Sequence, residues 1–297
     1  MTDATASDAE AVTAFWRGLG LPGLFDAHVH FLPPNIQRAV WRQFDIAGPK
    51  IGREWPIRYR AEAEERVEQL RSFGVRRFPT LPYAHKPGVA AYLNDWARGF
   101  KADVPESLWS ATFFPEPEAA TYVEQLLADG VEVFKVHVQV GEFHLDDPLL
   151  DPVWGLLAEA GTPVVVHAGS GPVGNAYTGP EPMRRLLAGH PRLTAVVAHM
   201  GAPEWEEFLE LAEAHERVHL DTTMVFTDFF PPYPPELVGR VRDLGERVLL
   251  GSDFPTIPYP YAHQLEGLAR LDLGDDWLRA VCWENAARLF GLDPRAT

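Results

Sequence analysis

Two histidines separated by one residue, His28 and His30 in the stretch LFDAHVHF, offer two imidazoles to a single partner. Leu24, Phe25 and Ala27 suit a buried strand, and side chains two apart on a strand project from the same face. Both rings can therefore serve one ion if the strand ends at an open site. Two histidines on one strand also arise by chance, so the pair gains meaning only if further ligand types end later strands. They do: His167 ends PVVVHAG, His199 ends TAVVAHMG and Asp253 ends RVLLGSDFP. Four imidazoles and one carboxylate suit Zn²⁺ first, then Fe²⁺, Co²⁺ or Mn²⁺. The expected division places His28, His30, His167 and Asp253 on one divalent ion, with His199 against its water or the substrate. Such an ion lowers the pKa of its water to about 7, giving hydroxide at neutral pH. Asp253 would orient that water and shuttle its proton, while His199 polarises the substrate or acts as acid or base.

The elements that must position these residues follow a regular rhythm. An amphipathic N-terminal helix over 7–20, with Val12, Phe15, Trp16 and Leu19 on one side, precedes the first strand. A long irregular insert follows His30, over 32–59. Strands are then expected over 75–81, 108–114, 131–140, 163–166, 193–198, 218–222 and 248–251. Helices are expected over 61–73, 89–100, 117–128, 152–160, 181–188, 203–214, 235–244, 261–269 and 277–290, several closed by proline or glycine signals. With the first, that makes eight short apolar strands alternating with helices, which implies a parallel sheet covered outside and closed as a (β/α)8 TIM barrel. No composition break divides the chain, so 1–297 reads as one domain. Barrel enzymes carry their chemistry at the C-terminal ends of strands, where all five residues are expected.

Composition narrows the class further. Apolar residues make up 46% of the 297, enough for a sizeable core. No apolar run approaches the roughly 20 residues of a membrane span. The acidic N-terminus lacks the basic-then-apolar pattern of a secretion signal, which points to the cytoplasm. Cys282 is the only cysteine, so an intrachain disulfide and a thiolate metal cluster are excluded. A net charge of −16 argues against nucleic acid and anionic membranes as partners. With only four lysines, arginines must supply most cations toward an anionic substrate.

The motifs FDAHVHFLPP, FKVHVQ, VVVHAG, VVAHMG, GSDFP and ENAARLFGL together resemble the amidohydrolase superfamily. More narrowly, they resemble its amidohydrolase-related branch, which includes aminocarboxymuconate-semialdehyde decarboxylase. The resemblance runs from about Leu24 to Leu292 and implies a mononuclear divalent metal with the roles given above. It does not select the reaction, because relatives include hydrolases, lactonases, hydratases and non-oxidative decarboxylases. Binuclear members use a carboxylated lysine at the end of the fourth strand. Lys135 lies in that strand, with His137 and Gln139 on the same alternate face, and reads either as a bridging ligand or as a polar barrel-lining residue. Some decarboxylase relatives carry Glu where this chain has His28.

Other residues are substrate-contact candidates beside plainer structural roles: His137, Lys135, Gln139, His85 with Lys86, and Arg58, Arg60 and Trp55 at the end of the insert. Asp221 either is structural or orients a ligand. The loop over 170–177 could offer backbone N–H groups to an anion. The remaining histidines, 144, 190, 215, 219 and 263, read as solvated or locally bonded. The expected activity is metal-dependent hydrolysis of a small, carboxylate-bearing organic substrate by metal-bound hydroxide. The alternative is non-oxidative decarboxylation or hydration of an unsaturated or aromatic carboxylic acid. Trp41 and Trp55 in the insert leave room for a homodimer contact.

Overall fold

The computed structural model describes residues 3–294. Among them run nine short strands: β1 Leu24–Phe25, β2 Val75–Pro79, β3 Ser107–Leu108, β4 Ser110–Thr112, β5 Val133–His137, β6 Val164–His167, β7 Ala195–Val197, β8 Val218–Asp221 and β9 Val248–Leu249. The expected strand over 108–114 is divided at Trp109, so eight expected strands appear as nine. The chain falls into two compact units. One holds everything up to Phe78 together with Thr222 onward; the other is Pro79–Asp221.

In the unit Pro79–Asp221, β4 to β8 are parallel and adjacent in chain order. The register sets His137 beside His167, and Val197 beside Leu220. Helices Ala119–Ala128, Asp151–Ala160, Pro180–Gly189 and Trp205–Ala214 separate successive strands. Val133, Val164, Val165, Val166, Val196 and Val197 are fully buried, which is why these strands are unbroken apolar runs rather than alternating ones. Each helix turns one stripe inward, as Val153, Trp154 and Leu157 show. That helix stops at Gly161, whose left-handed φ of 70° a side chain would strain.

The other unit pairs β1 with β2 in parallel, Leu24 beside Val75. The N-terminal helix Asp3–Gly18 docks through Trp16, whose Nε1 donates to the Phe73 carbonyl at 3.1 Å. The insert after β1 is not irregular throughout. It contains helix Pro34–Asp45 and the turn Gly48–Ile51, then extends through 55–60 with Trp55, Ile57 and Tyr59 buried and the residues between exposed. The expected C-terminal helix is three consecutive pieces: Asp275–Arg279, a wider π turn Ala280–Glu284, and Asn285–Leu289. Cys282 is fully buried there, and burial pushes its thiol up to about 12. No described helix is long and apolar enough to cross a membrane.

Candidate metal centre

β1 is only two residues long, yet the extended chain continues past it. Val29 pairs with Phe254 in a single parallel bridge, which brings residues 26–30 alongside 250–254. Ala27 N–H donates to Leu250 O at 2.7 Å, Asp253 N–H to His28 O at 2.8 Å, and His30 N–H to Phe254 O at 2.8 Å. Val29 and Phe254 are fully buried, so the intervening residues turn the other way. His28 and His30 thereby face each other, Nε2 to Nε2, at 3.1 Å. Asp253 Oδ1 lies 3.0 Å from His30 Nε2 and 3.8 Å from His28 Nε2. Asp253 reaches this position with φ 64°, a left-handed conformation that costs a non-glycine residue about 1–3 kcal/mol.

This donor set fits a small divalent cation. Bonds of about 2.0–2.1 Å at tetrahedral angles set neighbouring donors roughly 3.4 Å apart, and the three separations observed, 3.0, 3.1 and 3.8 Å, bracket that value. Two Nε2 atoms face to face share at most one proton, whereas a cation accepts both lone pairs and the carboxylate at once. The three residues are 1%, 7% and 9% exposed, so bulk water does little to replace such an ion.

In the other unit, His137 and His167 end adjacent strands and stack, ring centroids 3.9 Å apart. His199 meets His167 edge-on at 4.9 Å. His167 Nε2 lies 3.1 Å from the Gly171 carbonyl, which only accepts, so Nε2 carries the proton and Nδ1 the lone pair. His199 lies beyond β7, in a tight turn where His199 and Met200 both take left-handed φ, 55° and 51°. Asp221, at the end of β8 and fully buried, accepts the His199 N–H at 2.9 Å. Its work is to hold the turn that carries the imidazole. Gly201 closes that turn with φ 76°, and a Cβ there would lie 2.0 Å from the Phe208 ring.

Several expectations change on this geometry. Gln139 does not share the strand face of Lys135 and His137, because β5 ends at His137 and residues 138–141 form a helical turn. Its amide bridges instead to the Val173 carbonyl. The loop over 170–177 spends much of its polarity internally: Asn175 N–H on Thr178 Oγ1, Tyr177 N–H on Asn175 Oδ1, and Ser170 N–H on Glu204. Trp55 is buried against Phe44, Phe229 and Phe230, with Nε1 donating to Thr256 O at 2.6 Å, so its ring is covered within one chain. Lys135 is fully buried in β5. Arg58, His85 and Lys86 are exposed, and His85 titrates below its usual range through partial burial and the neighbouring Lys86. His190 and His263 are locally bonded, to Asp151 at 3.1 Å and beside Asp228.

Asp26 lies inside FDAHVHFLPP but is not among the expected site residues, and it proves central to the first cluster. It is fully buried, accepts hydrogen bonds from both flanking chains, and has its carboxyl pushed up to about 7 by burial, against the pull of those bonds.

A family model described as amidohydrolase matches residues 25–292. The chain belongs to the amidohydrolase family. Its strands resemble those of an uncharacterised TIM-barrel protein from Bordetella bronchiseptica at TM-score 0.74 and 19% identity, over 91% of this chain and 98% of that one. A 5-carboxyvanillate decarboxylase from Novosphingobium aromaticivorans, solved with manganese and 4-hydroxy-3-methoxy-5-nitrobenzoic acid, matches at TM-score 0.67 and 15% identity, over 92% and 97%. A putative 2-pyrone-4,6-dicarboxylic acid hydrolase from Pseudomonas putida matches at TM-score 0.61 and 16% identity, over 93% and 99%. A search of curated sequences gives no significant match. The fold of this amidohydrolase is the (β/α)8 TIM barrel, as its strand–helix rhythm requires. Members of the family are metal-dependent enzymes, and His28, His30 and Asp253 are the only group of three or more ligand-type side chains converging on one point among the described residues.

Proposed function

We propose that this amidohydrolase is a hydrolase of a small, carboxylate-bearing organic substrate, working as one domain around one divalent ion, Zn²⁺ before Mn²⁺, Fe²⁺ or Co²⁺. The observation that carries the proposal is the buried convergence of His28, His30 and Asp253. These three hold the ion, and His167 completes the ligand set. Support for His167, and for His199 as the acid–base residue, is their placement at or just past the ends of consecutive strands, with rings in contact. When bound, the ion supplies Lewis-acid chemistry, polarising a substrate oxygen and making water a competent nucleophile near neutral pH. Asp253 Oδ1 orients the attacking water and holds its proton. The His199 imidazole delivers a proton to the leaving group. Burial of His28 and His30 excludes bulk water from the two nitrogens.

Decarboxylation is the second reading, because 5-carboxyvanillate decarboxylases share the fold alongside 2-pyrone-4,6-dicarboxylic acid hydrolases. The two differ in what happens to water. Turnover of a panel of lactones, amides and aromatic carboxylic acids in ¹⁸O-labelled water should place label in the product without CO₂ release. CO₂ released with no label incorporated would replace hydrolysis by decarboxylation.

A further inference from the structure

In the ladder that zips residues 26–30 to 250–254, one N–H group from each segment shares a single side-chain acceptor. His28 N–H and Ser252 N–H both donate to Asp26 Oδ1, at 3.1 and 3.0 Å. One carboxylate oxygen thus ties the segment bearing both histidines to the segment bearing Asp253, across 226 residues of sequence. The other oxygen, Oδ2, accepts the Tyr261 hydroxyl at 2.8 Å. Tyr261 opens helix Tyr261–Ala269, and its N–H and that of Ala262 would be unsatisfied helix-start donors. Asp8, from the N-terminal helix, accepts them at 3.0 and 2.9 Å and also takes the Tyr59 hydroxyl. It caps a helix 253 residues away, doing from a distance what an N-cap side chain does locally.

We propose that Asp26 is the positioning residue of the metal centre, and that Tyr261, held by Asp8, fixes the Asp26 carboxylate. This rests on the reading of His28, His30 and Asp253 as ligands. Asp253 is the residue that most needs such help, because its left-handed backbone is stable only where its surroundings over-determine it. Asp26 supplies that constraint one residue before it, on the Ser252 N–H, and at the same time sets the His28 backbone. Asp26 acts through the backbone N–H groups of His28 and Ser252, and Tyr261 acts through Asp26.

The test is Zn²⁺ affinity, read on metal-stripped full-length protein by competition with a chromogenic chelator, with the Co²⁺ absorption spectrum as a report on ligand geometry. Asp26→Ala should bind Zn²⁺ about 10–100-fold more weakly than wild type, the range for partners behind metal ligands, and show an altered Co²⁺ spectrum. Asp26→Asn keeps an oxygen for the two N–H groups and should restore most of the affinity and the wild-type spectrum. A purely structural role would lower the melting temperature of metal-free protein in both variants and leave folded-state affinity and spectrum alone, which would overturn the proposal. Should Asp26→Ala not fold, Tyr261→Phe removes a single hydroxyl; affinity several-fold weaker supports the proposal and unchanged affinity overturns it. His30→Ala separates the two ideas. If it still binds Zn²⁺ like wild type, the ligand reading has failed; if it loses the ion while Asp26→Ala keeps it, only the positioning role has.

Discussion

Residues 26–30 with 250–254, and residues 164–167 with 195–201, present histidines in two different ways. The first pair of segments comes from opposite ends of the chain and is joined by three backbone hydrogen bonds plus the Asp26 carboxylate. There the rings meet nitrogen to nitrogen, with a carboxylate between them. The second pair comes from neighbouring parallel strands, and its rings, His167 and His199, meet edge to face. Both regions place a non-glycine residue in left-handed conformation, Asp253 and His199, and both use a buried aspartate to hold a nearby N–H. What differs is the geometry delivered. Converging nitrogens suit an ion; the His199 imidazole, carried on a turn held by Asp221, suits proton handling. Similar backbone devices thus serve two kinds of chemistry.

The largest effect that would break this contrast is at the converging cluster. His30→Ala and Asp253→Ala should each abolish stoichiometric metal binding and activity, a loss beyond the roughly 10–100-fold expected for residues behind the ligands; elemental analysis and turnover check it. Gly201→Ala comes next. Its Cβ would meet the Phe208 ring at 2.0 Å with φ 76°, so urea unfolding should show a loss of about 2–4 kcal/mol. Asp221→Ala leaves the His199 N–H without its acceptor, at a cost of about 1–3 kcal/mol. It should lower kcat several-fold, with the ion on His28, His30 and Asp253 retained. If it strips the metal instead, the His199 turn serves the ion as well as the proton. The smallest effect is expected at Cys282, whose thiol burial pushes up to about 12. At pH 8 it should stay unreacted with a thiol reagent in native protein and react once unfolded.

Much of this was legible in residue order because the relevant signals are local. The two-residue period puts His28 and His30 on one face, and runs such as PVVVH announce a strand buried on both sides. What was hidden depends on contacts between distant segments. Asp26 reads as one more residue of FDAHVHFLPP, with no role of its own, until Ser252, 226 positions on, is seen donating to it. Asp8 reads as part of an acidic N-terminus until it caps the helix at Tyr261. Gln139 continues the alternation of FKVHVQ, yet the chain turns helical after His137, since alternation over two residues cannot oppose a tertiary turn. The helix Pro34–Asp45 did carry a local signal, with proline in its first turn and Ile36, Val40, Trp41 and Phe44 at helical spacing, obscured by the prolines and glycines around it.

The central claim is that His28, His30 and Asp253 hold a divalent ion. Bound metal per chain, measured by elemental analysis on protein purified without an affinity-metal column, tests it most directly beside His28→Ala and Asp253→Ala. About one divalent ion in the wild type, lost in both variants, is the predicted result. No metal, and none taken up from added Zn²⁺ or Mn²⁺, would contradict the account.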